Sequence, residues 1–99
     1  MNLQTFVSVP GNVMARRVGD EVIILDLNGG EYFGLPDVAG RIWELLDDGK
    51  SLLEAAGLIA AEFGVDRSTA ENDLLRLVDE LCGKGLLIEA PTGSVTAQT

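Results

Sequence analysis

The chain has 99 residues, with sixteen acids against seven bases, a formal net charge of −9 and an apolar share of 46%. That length allows one domain, and the apolar share is too high for intrinsic disorder. An excess of acids repels phosphate backbones, so the charge argues against a nucleic-acid partner. Residues 1–12 read as a flexible N-terminal segment, with turn formers at Pro10 and Gly11. Val13–Val18 follows as a short strand, and Gly19-Asp20 as a two-residue turn with glycine first, the pattern of a primed hairpin turn. Glu21–Leu27 is rich in β-branched residues and predicts a second strand. Asn28-Gly29-Gly30 supplies a tight turn, and Glu31–Leu35 is the third strand. Two short turns joining three strands predict an antiparallel meander in chain order.

The second half has helical spacing. Pro36-Asp37 opens a helix that runs to about Asp48, with Val38, Ile42, Leu45 and Leu46 as its stripe, Trp43 beside them, and Gly49 as its stop. Ser51 with Glu54 forms a capping box, and Leu52, Ala55, Leu58, Ile59 and Phe63 make the next apolar stripe, ended by Gly64. Asp66 or Ser68 caps a third helix, Ser68 with Glu71 having the capping-box spacing. Leu74, Leu77, Val78 and Leu81 form its main stripe, and Gly83 and Gly85 end it. The predicted core of the helical half is Ile42, Trp43, Leu58, Phe63, Leu77 and Leu81. The fold class is α+β: a three-stranded antiparallel meander, then three helices, winged helix-turn-helix-like, over residues 13–90. Residues 91–99, small, polar and uncharged, read as a disordered tail.

Candidate chemistry is sparse. No histidine is present, which removes the commonest metal ligand and general base, and neither a metal nor a cofactor is expected. Asp47-Asp48 and Asp79-Glu80 are adjacent pairs that splay around a helix and do not converge. Cys82, the single cysteine, has no activating base and sits near a helix C-terminus, where the dipole raises a thiol pKa. It cannot form an internal disulfide, which fits a cytoplasmic location. Met1–Thr5 lacks the basic residues of a signal peptide, and no apolar run reaches the length of a membrane span. The third helix would have to read DNA in a helix-turn-helix protein, yet Asp66, Glu71, Asp73, Asp79 and Glu80 outnumber Arg67, Arg76 and Lys84 along it. No enzymatic activity is expected.

The sheet edges are more informative. Strands one and three of a meander are both edges. The first carries Arg16 and Arg17 side by side, one projecting from each face. The third, Tyr32-Phe33-Gly34-Leu35, has no charge after Glu31 and no proline before Pro36. Such an edge either packs against the chain's own helices or templates an extended peptide as a fourth strand. Residue periodicity leaves both readings open.

Three stretches carry a resemblance: Leu25-Asp26-Leu27, Gly30-Glu31-Tyr32-Phe33-Gly34-Leu35, and Gly40-Arg41-Ile42-Trp43-Glu44-Leu45-Leu46. With the later run from Ala70 through Leu74, Leu77 and Leu81 to Leu87, they resemble the PqqD-like recognition elements of ribosomally made, modified peptides. The likeness is greatest to the stand-alone recognition subunit of lasso-peptide clusters. Pro36 departs from the pattern, where asparagine is expected as the helix cap. The resemblance implies a non-catalytic adaptor. A precursor's leader would add as a strand along Glu31, Tyr32, Phe33, Gly34 and Leu35, against a helix face of Ala70, Asp73, Leu74, Arg76, Leu77 and Glu80. Asp73, Arg76 and Glu80 would form the polar margin of the groove, and Leu74 and Leu77 would approach its floor. It also implies an apolar pocket for a Tyr-x-x-Pro leader motif. The implied partners are the leader segment, a separate leader peptidase of the transglutaminase-like cysteine protease kind, and the macrocyclising enzyme. The alternatives are a PqqD-type chaperone of a quinone-cofactor precursor and an acidic winged-helix regulator.

Overall fold

The computed structural model describes Leu3 and residues 5–90. In chain order the elements are β1 (Phe6–Ser8), β2 (Val13–Val18), β3 (Glu21–Asp26), β4 (Glu31–Pro36), α1 (Asp37–Asp47), α2 (Leu52–Phe63), α3 (Arg67–Gly83) and β5 (Ile88–Ala90). Strands β2, β3 and β4 form the antiparallel meander in that order, and three helices follow, so the fold is α+β as expected. Val18 pairs with Glu21 across Gly19-Asp20, and Gly19 takes φ 62°, the positive value a primed turn requires. The second turn is longer than a tight hairpin. Asp26 pairs with Glu31, and the Gly30 N–H donates to the Asp26 carbonyl at 2.8 Å. The Asp26 side chain ties the turn down by accepting from Asn28 N–H and Asn12 Nδ2, both at 3.0 Å.

Helix boundaries follow their local signals, with two exceptions. The Ser51–Glu54 capping box forms with both hydrogen bonds, at 3.0 and 3.1 Å. All three helices stop where a glycine adopts positive φ: Gly49, Gly64 and Gly85. The second capping box does not form. Helix α3 starts at Arg67 after Asp66, and Glu71 is instead drawn to Arg67 at 3.2 Å. Helix α1 begins after Pro36 with no side-chain cap, and Asp37 takes φ 44° while its N–H donates to the Asp20 carbonyl at 3.0 Å. Aspartate tolerates that left-handed conformation better than most residues do.

The core brings Val22, Ile24 and Leu35 of the sheet against Ile42, Trp43 and Leu46 of α1, Leu52, Ala55, Ala56 and Ile59 of α2, and Leu74, Val78 and Leu81 of α3. Gly40 lets α1 press on the sheet: a Cβ there would stand 2.7 Å from the Leu35 carbonyl oxygen and 3.0 Å from Val22 Cγ2. Two core expectations fail. Leu58 and Phe63 are 38% and 42% exposed. The inward stripe of α2 is Leu52, Ala55, Ala56 and Ile59, one residue off Leu58, and Phe63 lies on the last turn.

Within the segment expected to be flexible, residues 1–12, described residues pair with the rest of the chain. Strand β1 pairs antiparallel with β5, Val7 opposite Glu89, and Val7 is buried. The carbonyls of Leu3 and Thr5 accept from the N–H groups of Leu53 and Leu52, at 2.9 and 3.4 Å. Those N–H groups lie in the first turn of a helix, where no intrahelical partner exists, so the segment satisfies what α2 cannot. The C-terminal stretch, residues 91–99, lies outside the described residues.

Candidate functional site

Strand β4 is an edge of its sheet, and its outward-facing backbone follows from the ladder. Pairing of β3 with β4 runs from Glu21 opposite Pro36 to Asp26 opposite Glu31. The Asp37 N–H to Asp20 carbonyl bond continues that register by one step. In an antiparallel pair, hydrogen-bonded positions alternate along the strand. Residues 35, 33 and 31 therefore bond to β3, and the N–H and C=O groups of Gly34 and Tyr32 face the open edge. The Leu27 N–H to Asn12 carbonyl bond, 2.8 Å, fixes the same parity on the other side of β3.

Beside that edge lies a cleft between β4 and α3, lined by Phe33, Gly34, Leu35, Leu77, Glu80, Leu81 and Lys84. Its volume is about 160 Å³, below the roughly 300–1,000 Å³ of small-molecule and cofactor pockets. Its floor is apolar, and its charged groups, Glu80 and Lys84, stand one helical turn apart. The Lys84 ammonium lies 5.4 Å from the centroid of the Phe33 ring, within cation–π range. The arrangement suits one or two apolar side chains of an extended segment whose backbone runs along Gly34 and Tyr32.

The residues expected at the site divide by position. Phe33, Gly34, Leu35, Leu77 and Glu80 line the cleft. Asp73 and Arg76 extend the same α3 stripe by a turn and pair with each other at 3.3 Å on the exposed surface. Tyr32 is 73% exposed and projects from the opposite face of the sheet, so it offers the edge its backbone and not its ring. Glu31 is exposed beside the hairpin turn. Ala70 and Leu74, at 2% and 0% exposure, belong to the core and do not reach the cleft floor. Their stripe faces α1 and α2 because α3 is rotated so that Leu77, one step around, meets the cleft. Leu81 and Lys84 were not anticipated as site residues. The spacing 73, 77, 80, 84 contained the signal for Lys84, but Gly83 reads as the helix stop.

Cys82 is half-buried, and burial pushes its thiol pKa up, with the charges of Glu89 and Asp79 adding to the effect. Among the described residues no group of three or more His, Cys, Asp or Glu side chains could hold a metal ion. No described helix is long and apolar enough to cross a membrane.

A family profile described as coenzyme PQQ synthesis protein D (PqqD) matches residues 21–87. Two solved structures are similar. "TbiB1 in Complex with the TbiA(beta) Leader Peptide" is 42% identical with a TM-score of 0.77, covering 81% of this chain and 93% of that one. "Lasso peptide synthetase B1 complexed with the leader peptide" is 29% identical with a TM-score of 0.75, covering 86% of this chain and 98% of that one. No curated protein matches.

Proposed function

The chain belongs to the PqqD family, and from that premise we propose that it is a non-catalytic adaptor that captures the leader of a ribosomal precursor peptide by strand addition. The observation that carries this reading is the edge of β4, where the backbone groups of Gly34 and Tyr32 have no strand partner among the described residues and lie beside an apolar cleft. An added strand would draw affinity from those main-chain groups and specificity from side chains entering between Phe33, Leu35, Leu77 and Leu81. Both similar structures are described as leader-peptide complexes, which supports the same reading. The adaptor would hand its precursor to a separate leader peptidase and then to a macrocyclising enzyme, as in lasso-peptide pathways. Catalysis falls to those proteins, because Cys82 has a raised pKa and the chain has no histidine to activate it. Ordering a flexible leader costs free energy, so moderate affinity is expected. A second reading, in which the peptide is a quinone-cofactor precursor, is favoured by the family description alone.

Gly34→Pro tests the mechanism. Proline removes the outward donor and leaves the bonds of residues 33 and 35 to β3 in place. Titration with a synthetic leader peptide should show at least a tenfold loss of affinity, while circular dichroism shows a retained fold. Gly34→Ala keeps the donor, and its Cβ would meet the flexible Glu21 carboxylate at 3.3 Å and Ile23 Cδ1 at an ordinary 3.7 Å, so it should bind like the parent. A folded Gly34→Pro chain with unchanged affinity would end the strand-addition reading. Parallel titration with a quinone-cofactor precursor separates the two peptide classes.

A further inference from the structure

Lys84 stands at the margin of the cleft between β4 and α3, and its charge is not used within the chain. It caps the C-terminal end of α3, where the helix dipole favours a cation. Glu80 lines the same cleft four residues earlier, the spacing and order that suit an ion pair on a helix. Yet among the described residues Lys84 makes no ion pair, and its ammonium lies over the Phe33 ring at 5.4 Å. Arg17, Arg41, Arg67 and Arg76, by contrast, each meet a carboxylate of the chain. In a protein of net charge −9, a cation left without a carboxylate at the mouth of a binding cleft suits a carboxylate from outside.

The ladder fixes where on an added peptide that carboxylate would lie. Leu35, Phe33 and Glu31 stand opposite Val22, Ile24 and Asp26, and the burial of Val22 and Ile24 puts this row on the face of the sheet that meets the helices. Side chains of an added strand alternate in the same way, so leader residues opposite Leu35 and Phe33 are two apart and about 7 Å from each other. Both turn toward α3. The residue opposite Leu35 is the apolar anchor, entering beside Leu77 and Leu81. The residue opposite Phe33 comes beneath the Lys84 ammonium. A residue two further along, opposite Glu31, meets a carboxylate instead.

We propose that Lys84 is a specificity-determining residue, which selects leaders carrying aspartate or glutamate two residues from the apolar anchor. The inference rests on the strand-addition reading above. The acidic chain as a whole repels an acidic peptide, so only the local meeting with Lys84 rewards a carboxylate, and only at that position. A cation there would face the Lys84 ammonium, and like charges set against each other weaken binding.

The test uses the full chain and synthetic fluorescein-labelled peptides built on the precursor's leader. The anchor is identified as the apolar residue whose change to alanine weakens binding most. Glutamate, alanine or lysine is placed two residues after the anchor, as an antiparallel strand requires, and in a second set two residues before it, as a parallel strand requires. By fluorescence anisotropy the parent should bind the glutamate peptide of one set about threefold more tightly than the alanine peptide and about tenfold more tightly than the lysine peptide. Lys84→Glu should reverse that order, and Lys84→Met should level it. Glutamate moved two residues further from the anchor, opposite Glu31, should gain nothing. If Lys84→Glu fails to fold by circular dichroism, the levelling by Lys84→Met decides. An order that is the same in the parent and in the folded Lys84 variants, or no preference for glutamate in either set, overturns the proposal and leaves leader binding standing. A parent that binds none of the peptides, or a folded Gly34→Pro chain that binds them as tightly as the parent, sinks the underlying reading instead.

Discussion

Arg16 and Arg17 are adjacent and have opposite fates, because successive residues of a strand point to opposite faces. Arg17 reaches α1 and donates to both Glu44 oxygens at 2.8 Å, whereas Arg16 lies on the other face of the sheet and makes no ion pair among the described residues. Trp43 is as dependent on its surroundings. The only tryptophan of the chain is 1% exposed, and its indole Nε1 has no hydrogen-bond partner among the described residues. Trp43→Phe therefore forfeits packing and no protein hydrogen bond. The expected cost is about 2 kcal/mol, short of the roughly 3–5 kcal/mol of a truncation to alanine. Chemical denaturation of both variants checks the order. In the folded parent, Trp43 emission should be blue-shifted and resist quenching by acrylamide, and unfolding should reverse both.

At the scale of elements, glycines in two helices make opposite predictions. On α1, Gly40 faces the sheet, and an added Cβ would stand 2.7 Å from the Leu35 carbonyl oxygen, which cannot yield without moving β4. Gly40→Ala should destabilise by about 1–3 kcal/mol through overpacking. On α2, Gly57 would place a Cβ 3.5 Å from the Arg67 guanidinium, an ordinary contact. Gly57→Ala should stabilise by about 0.5–1 kcal/mol, the helix-propensity difference. Thermal unfolding of the pair reads both signs, and agreement would locate α1 against the sheet. Because α1 holds β4 in place, Gly40→Ala should also weaken leader binding.

Over the whole molecule, ion pairs tie the sheet to the helices. Arg17 joins β2 to Glu44 of α1, and Arg41 of α1 joins Glu62 of α2 at 2.9 Å. The hydrogen bond from Arg17 holds the Glu44 carboxyl below the usual glutamate range, and Arg41 does the same for Glu62. A carboxyl whose pKa is depressed by folding stabilises the native state above its unfolded pKa, about 4.3 for glutamate. That contribution is lost as pH falls through the lower folded value. Glu44→Gln should thus be less stable than the parent at pH 7, and the gap should close as pH is taken below about 4. Denaturant midpoints measured across that range test it. A gap that persists at pH 2 would mean that Glu44 acts through packing.

Features that depend on residues within one turn or one hairpin of each other were legible in the sequence. Ser51 with Glu54, glycine after each helix, and Gly19-Asp20 between two strand segments each settle a boundary through bonds to near neighbours. Two short turns also force the strand order and make β4 an edge. Tertiary structure decided the rest. Strand β1 finds β5 from almost the far end of the chain, a pairing no local pattern encodes. Leu58 is exposed and Ala56 buried because α2 is rotated by its packing against α1 and α3, and an apolar stripe does not state which of its margins will be covered. The same rotation on α3 sends Leu74 into the core and Leu77 and Lys84 to the cleft. Whether Gly34 offers its N–H to the edge or to β3 rests on ladder parity, which the bonds at both ends of β3 establish once the strands are paired. Neighbours in the chain set where an element starts and stops; burial and register are set by surfaces that meet only after the chain has closed on itself.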